Sequence, residues 1–458
     1  MKVTVNGAAK IVTGSNYLIE VGKEKILVDC GMFQGEKEIT AYNYDPFNFD
    51  PKKISYVLLT HAHIDHSGLL PKLYGEGFRG KIFATTATRD LCRIMLEDSA
   101  NLQMSETESE NKRRQREGME MRYPLYGMDE VNGVMPLFQT IEYGRTYSIT
   151  RNIQARFLNA GHIIGASIIE LYVTENRETK KIVFSGDLGQ WDSPLLEDPT
   201  LVDEADYVFL ESTYGNRLHD PVSSRDEEIL GYVKEAYKKK GKLMIPTFAV
   251  ERTQEIIYSF NKLDKQKKFP DEQVFLDSPL AIKAIEVFDK HHEFFRDSAF
   301  QYGNPFRFRK LVLSESVEDS KGLNEYGKPA IIMAGNGMCT GGRIRHHLKH
   351  GLWDPKNTLL FVGFQADGTL GKKILDGAET VKMMGMTIAV KADIREMNSY
   401  SAHSDYNGLM KWMNSFKQKP RYVFVVHGEP EACEEMKKRL KKTGFKALIP
   451  NLGEAIDL

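Results

Sequence analysis

Apolar and polar positions along this chain follow two regimes. Over the first 60 residues the apolar runs are short. Residues 10–20 and 25–29 predict strands joined by the polar turn Val21-Gly22-Lys23-Glu24, and residues 54–60 predict a buried strand. Residues 81–85 predict another strand. From Thr88 to about Met121 the chain is polar and highly charged, which predicts an exposed helix with a solvated charged face. Strand-like runs return at residues 153–158, 181–185, 207–210 and 422–426. Each is followed at its carboxyl end by a side chain able to bind a metal or a proton: His162, Asp187, Glu211 and His427. Open α/β sheets gather their sites at the carboxyl ends of strands, so these four are expected to converge.

Between residues 215 and 394 the pattern changes to strand, short loop and helix in repetition. Strands are predicted at 242–246, 274–276, 330–333 and 359–362, each leading into a helix. That alternation implies an α/β domain with a parallel sheet. Because a strand ending in His427 returns afterwards, the stretch reads as an insertion. The expected organisation is one domain built from residues 1–214 and 395–458, with a second domain at 215–394 nested inside it. No low-complexity tract or short repeat interrupts the pattern.

Composition narrows the class. A chain of 458 residues needs more than one core, so two or three domains are expected. A formal net charge of −1 excludes a globally basic coat for nucleic acid and leaves room for a local basic groove. No apolar run approaches the roughly 20 residues of a membrane span. The N-terminal residues lack the apolar core of a signal peptide, so a cytoplasmic, membrane-free protein is expected. Cys30, Cys92, Cys339 and Cys433 are widely spaced, as expected for thiols of a reducing compartment.

The candidate chemistry centres on His61-Ala62-His63-Ile64-Asp65-His66, just after the predicted strand at 54–60. Three imidazoles and a carboxylate in six residues form a poor core segment and a good metal site. One cluster holds too few ligands for two ions, and the later strand ends supply the rest. His61, His63, His162 and Asp187 are expected to hold one ion. Asp65, His66, His427 and a shared Asp187 are expected to hold a second. Two ions about 3.5–4 Å apart would activate a hydroxide for in-line displacement at phosphorus. Asp29, at the end of a predicted strand, is either a turn former or a partner that orients a ligating histidine.

These residues also carry a resemblance. His-x-His-x-Asp-His, Gly161-His162 and Ser185-Gly186-Asp187 resemble the metallo-β-lactamase fold. Within it, the later motifs resemble the β-CASP nucleases: Glu211 in Leu210-Glu211-Ser212-Thr213-Tyr214-Gly215 looks like motif A, His403 in Ser401-Ala402-His403-Ser404-Asp405 like motif B, and His427 like motif C. The segments Gly337-Met338-Cys339-Thr340-Gly341-Gly342-Arg343 and Gly368-Thr369-Leu370-Gly371 also match. The likeness is greatest to bacterial and archaeal relatives of the endonuclease subunit of the cleavage and polyadenylation specificity factor. It implies an α/β protein, an αββα metallo-β-lactamase sandwich with a nested parallel-sheet β-CASP domain. It also implies two Zn2+ per chain and hydrolysis of RNA phosphodiester bonds in RNA processing or decay. A histidine at motif C implies RNA rather than DNA. Two departures stand out: Asn336-Gly337 where relatives often carry small Ser or Gly residues, and no counterpart of the N-terminal KH domains of archaeal relatives.

With that resemblance the roles become specific. Asp65, Glu211 and His403 are the expected catalytic residues, with a Glu211–His403 pair making the imidazolium a phosphate clamp and general acid. Ser404 and Asp405 read as N-cap residues of a helix running to residue 413, and Ser404 is expected at a phosphate. Gly337, Thr340, Gly341, Gly342, Arg343, Gly368 and Thr369 are expected to cradle phosphates of single-stranded RNA. Arg345 would add charge, Arg252, Arg307 and Arg309 are candidate groove cations, and His346 and His347 are expected on an exposed helix face. Two further readings are another hydrolase of this fold, acting on DNA or a small ester or thioester, and a non-catalytic RNA-binding scaffold. The nested domain argues against a small substrate, His427 against DNA, and the filled ligand positions against a scaffold. Endonucleolytic and 5′-exonucleolytic action are both compatible with the chain, as is a homodimer.

Overall fold

The computed structural model describes residues 1–363, 365–366 and 368–458. Phe364 and Asp367, both in the second glycine-rich loop, lie outside the described residues. The chain divides into two compact units. One comprises Met1–Trp191, Glu197–Leu218 and His403–Leu458, and the other Asp192–Leu196 and His219–Ala402.

The first unit contains two seven-stranded sheets. In one, Ala455–Asp457 pairs with Lys2–Val5, followed by Tyr17–Val21, Glu24–Val28, Tyr56–Leu58, Lys81–Thr85 and Phe138–Ile141. In the other, Ala447–Leu448 and Tyr422–Val426 lead to Tyr207–Glu211, Glu178–Phe184, Ser167–Glu175, Ile153–Asn159 and Thr146–Ser148. Apolar side chains of both sheets meet in one core. Ile19 and Val28 come from the first, Phe157 and Phe184 from the second, and all are at most 2% exposed. Helix Thr86–Arg116 packs on the first sheet and helix Pro430–Lys442 on the second. The layers therefore run helix, sheet, sheet, helix, as the resemblance implies.

The start of the chain departs from the expected strand at 10–20. The strand is Tyr17–Val21, and Lys2–Val5 pairs beside it. Residues between them turn, with Ala8, Lys10 and Gly14 at φ of 51°, 60° and 75°. Such angles do not fit a β-ladder, and the apolar residues of this stretch gave no sign of them. Helix Thr86–Arg116 spans 31 residues and buries side chains only from Ala87 to Ala100. Beyond Ala100 it is solvated, as its charge predicts.

The second unit holds a six-stranded parallel sheet, ordered Leu311–Leu313, Gln273–Asp277, Ala330–Ala334, Lys242–Pro246, Thr358–Phe361, Asp393–Glu396. Its central strand Ala330–Ala334 is buried at every position, as a parallel strand covered on both faces must be. One expectation is overturned here. His347 is 2% exposed, with Nε2 2.6 Å from Asp277 Oδ2. Helix Ile344–Gly351 places it on the same face as Ile344, Leu348 and Gly351, all buried. Asp277 also accepts from Ser320 Oγ at 2.6 Å and from Arg343 Nη1 at 2.7 Å. The histidine completes a buried polar network rather than facing solvent.

Candidate metal centre

Every strand end singled out in the first unit delivers its side chain to one place. After Tyr56–Leu58 the chain reaches His61 and His63, and the single-turn helix Ile64–Ser67 presents Asp65 and His66. That turn is held by its neighbours: Ser15 N–H donates to Asp65 O, Cys30 N–H to His66 O and Met32 N–H to Ile64 O, all at 2.8–2.9 Å. Gly31 makes the approach possible, because a Cβ there would lie 1.6 Å from Asp65 O. His162 follows Ile153–Asn159, Asp187 follows Glu178–Phe184, Glu211 ends its own strand, and His427 follows Tyr422–Val426. His403 arrives by an antiparallel bridge with Gly189.

The donor atoms form two adjoining sets. His61, His63, His162 and Asp187 make one, and Asp65, His66 and His427 another, with all ligand atoms of each set within 4.8 Å of one another. His61 Nε2 and His162 Nε2 each lie 3.1 Å from His63 Nδ1, and His66 Nε2 lies 3.2 Å from His427 Nε2. Asp187 stands between the sets, with Oδ2 3.4 Å from His61 Nε2 and 3.3 Å from His66 Nε2, and Oδ1 3.5 Å from His427 Nδ1. Buried Asp187 Oδ1 has no hydrogen-bond partner among the described residues. Ring nitrogens aimed at each other beside an unsatisfied buried carboxylate oxygen are the donor set that divalent cations take. The residues therefore fit bound metal.

Electrostatics agrees with that fit. Burial, aided by the neighbouring His66, pushes His61 down to about 3. Burial pushes His63 down to about 4 and His162 well below its ordinary value. These three rings are thus neutral, with lone pairs available. Burial opposes ionisation of Asp187, but the surrounding His427, His66 and His61 outweigh it and hold the carboxyl well below its usual range. His66 goes the other way: burial opposes its charge, and Asp187 and Asp29 overcome that.

Side chains around the donors fix their orientation. Asp29 Oδ2 lies 2.7 Å from His66 Nδ1 and accepts from Ser15 Oγ at 3.1 Å. Thr60 Oγ1 sits within 3.3 Å of Asp29, His61 Nδ1 and His66 Nδ1. Thr213 Oγ1 lies 3.1 Å from His427 Nδ1. The sequence assigned no role to Thr60 or Thr213, although Thr60 ends the predicted strand at 54–60 and Thr213 lies within the motif A segment. Asp29 and His427 both hold left-handed backbone, at φ of 59° and 49°. Strain of this kind at non-glycine residues clusters at functional sites.

His403 and Glu211 form a second constellation beside the donors. His403 Nδ1 lies 3.4 Å from Glu211 Oε1, and Glu211 also accepts from the N–H groups of Leu188 and Thr213. Burial opposes charge on His403, and Glu211 with Asp187 overcomes it, so its affinity for a proton is raised. Its side chain keeps 19% exposure, against 4% or less for His61, His66, His162 and His427. Of the six rings, His403 and His63 are the two that are not buried. Asp405, not Ser404, caps helix Tyr406–Met413. Ser404 is 1% exposed, with its hydroxyl donating to Gly189 O and its N–H to Leu188 O. Both of its donors are thus spent inside the fold.

The remaining expected residues lie in the second unit. The two glycine-rich loops are tied together there: Gln365 Nε2 donates to Gly337 O and Gly363 O, and Gly371 N–H to Met338 O, at 3.0–3.1 Å. Thr340 and Gly342 are exposed. Gly342 has φ 69°, and a Cβ on it would meet Gly335 O at 2.3 Å. Thr369 caps helix Leu370–Leu375 through Lys372 N–H. Arg343 is occupied by Asp277, Ser314 O and Glu315 O. Arg252 is no groove cation: it is 8% exposed, with Nε donating to Tyr400 O.

Three family descriptions match the chain: the metallo-beta-lactamase superfamily over residues 10–78, the Beta-Casp domain over 253–374, and the Zn-dependent metallo-hydrolase RNA specificity domain over 387–450. Ribonuclease TTHA0252 of Thermus thermophilus is 37% identical over the whole of both chains. Transcription termination factor FttA of Methanosarcina mazei is 30% identical over 95% of this chain and 68% of its own. An RNase J-like protein of Methanocaldococcus jannaschii is 30% identical over 90% and 88%. A crystal structure of a protein of unknown function from Enterococcus faecalis V583 shares the fold, with a TM-score of 0.58 at 12% identity over 100% and 99% of the two chains. Donor set, layered sheets and these likenesses agree: the chain belongs to the β-CASP branch of the metallo-β-lactamase superfamily.

Proposed function

We propose that this protein is a zinc-dependent ribonuclease that hydrolyses phosphodiester bonds of single-stranded RNA, acting endonucleolytically, from the 5′ end, or both. The observation that carries the reading is the pair of adjoining donor sets sharing Asp187, next to a His403 paired with Glu211. Support for RNA comes from the match to an RNA specificity domain and from a relative named a ribonuclease that aligns end to end.

His61, His63, His162 and Asp187 would hold one ion, and Asp65, His66, His427 and the shared Asp187 a second. Bound zinc would supply an ionised water at neutral pH and neutralise charge at the phosphorus. The chain's own residues do the rest. Glu211 holds His403 by Nδ1, so His403 is kept charged and oriented. Its Nε2 then contacts a phosphate oxygen and gives a proton to the departing 3′ oxygen. Asp29 and Thr213 fix the rings of His66 and His427, as partners of ligating histidines do. Four buried free cysteines fit a cytoplasmic setting, and no helix among the described residues is long and apolar enough to cross a membrane.

The test is cleavage of 5′- and 3′-labelled single-stranded RNA with and without chelator. Cleavage by the zinc-loaded protein, lost on chelation and lost in Asp65→Ala, is expected. A preparation carrying two zinc ions that leaves RNA intact would overturn the reading. Product lengths from linear and circular RNA distinguish internal from end-dependent cutting.

A further inference from the structure

In a loop near the donor cluster the fold accounts for Phe47 and Phe49, stacked at 5.1 Å with Lys72 over Phe47, and leaves two tyrosines largely displayed to water. Residues 41–49 read Ala-Tyr-Asn-Tyr-Asp-Pro-Phe-Asn-Phe, four aromatic rings in nine residues. Two of the rings face water: Tyr44 is 66% exposed and Tyr42 42%. Asn43 between them points inward at 3% exposure, accepting from Phe33 N–H at 2.8 Å and donating to Phe33 O at 2.7 Å. Lys72 donates to the carbonyls of Asn43 and Asp45 at 2.8 and 2.5 Å. The backbone beneath the tyrosines is therefore fixed, and their display is not a by-product of a loose loop.

The loop borders the Asp65 and His427 side of the cluster. Gly31 packs against Asp65 O, Met32 N–H bonds Ile64 O, and the Phe33 ring lies 5.4 Å from that of Tyr42. Thr13 Oγ1 donates to Gln34 O, and the turn containing Thr13 also carries Ala8, whose carbonyl accepts His427 N–H at 2.7 Å. Charge does not mark this rim for phosphate. Residues 36–53 carry Lys37, Lys52 and Lys53 against Glu36, Glu38, Asp45 and Asp50. What the rim offers a ligand is ring faces.

We propose that Tyr42 and Tyr44 form a stacking platform for unpaired bases of the RNA strand flanking the scissile phosphate. This rests on the ribonuclease reading above. Every base has a π-face, so such a platform holds single strands without choosing sequence, and removing an aromatic partner typically costs at least about 5-fold in binding.

The test compares wild type, Tyr42→Ala/Tyr44→Ala and Tyr42→Phe/Tyr44→Phe, each zinc-loaded, on a 20-nucleotide single-stranded RNA and on bis(p-nitrophenyl) phosphate, which is too small to reach the loop. The alanine pair is expected to raise KM for RNA at least about 5-fold with kcat little changed. It is expected to leave the small substrate's kinetics alone, and the phenylalanine pair is expected to behave as wild type. An alanine pair with wild-type KM for RNA overturns the platform while the ribonuclease reading stands. Equal losses on both substrates overturn it too, by showing a structural role. A wild type that hydrolyses the small ester but not RNA overturns the ribonuclease reading and the platform with it.

Discussion

Asp187 is the side chain on which the cluster turns. One carboxylate lies within 4 Å of His61, His66, His162, His403 and His427. Asp187→Asn keeps the shape and removes the charge. Bound zinc per chain is expected to fall below two, with activity lost, as measured by atomic emission on dialysed protein. His403→Ala is expected to separate from it. Turnover should fall about 10²- to 10⁴-fold while zinc content stays near that of wild type. If His403→Ala loses metal, its role is ligation and not proton transfer. A third residue matters for stability alone. Glu272 is 3% exposed, neither carboxylate oxygen has a hydrogen-bond partner among the described residues, and burial pushes its pKa up to about 7. A carboxyl whose folded pKa lies above its unfolded value binds more protons when folded. Stability is therefore lost as pH rises from about 4.5 to 7. Glu272→Gln is expected to raise stability by about 1–3 kcal/mol at pH 8 and little at pH 4, read as the urea midpoint at both pH values.

At the scale of elements, the strand ends were legible and the turns were not. Apolar runs ending in His, Asp or Glu need only a period and a terminus to be seen, and five of them meet in the cluster. The segment at 10–20 read as a strand because of its apolar Ile11, Val12, Tyr17, Leu18 and Ile19, whereas Ala8, Lys10 and Gly14 take left-handed angles, which Ala8 and Lys10 as non-glycine residues do not advertise. His347 read as exposed because its partner Asp277 lies 70 residues away, at the end of a strand rather than on its own helix. Thr60 and Thr213 showed no role of their own because a hydroxyl becomes an orienting group only once folding sets a ring beside it. The close approach at Gly31 was equally invisible. Gly31→Ala would press a methyl into Asp65 O, and is expected to cost about 3 kcal/mol or more. Its zinc content should fall together with its thermal midpoint.

The whole molecule consists of two units of different construction, and all candidate metal donors belong to one of them. Metal that binds only the folded form stabilises the unit that holds it, by about 4 kcal/mol at a thousandfold excess over Kd. For a unit of this size that is a rise of roughly 10 °C. Calorimetry of the chelated and zinc-loaded protein is expected to show one transition that moves by that amount and one that stays. A single transition moving as a whole would show that the units unfold together.

Chain order also sets a timetable. His66 and His427 face each other across 361 residues of sequence. At 5–20 residues per second of synthesis, the second arrives roughly 20–70 s after the first. At the start of that interval four of the seven donors exist, and after Asp187 has been added only His427 is still to be made, so the second set stays incomplete throughout. A centre that needs both donor sets therefore cannot close before residue 427 has been made.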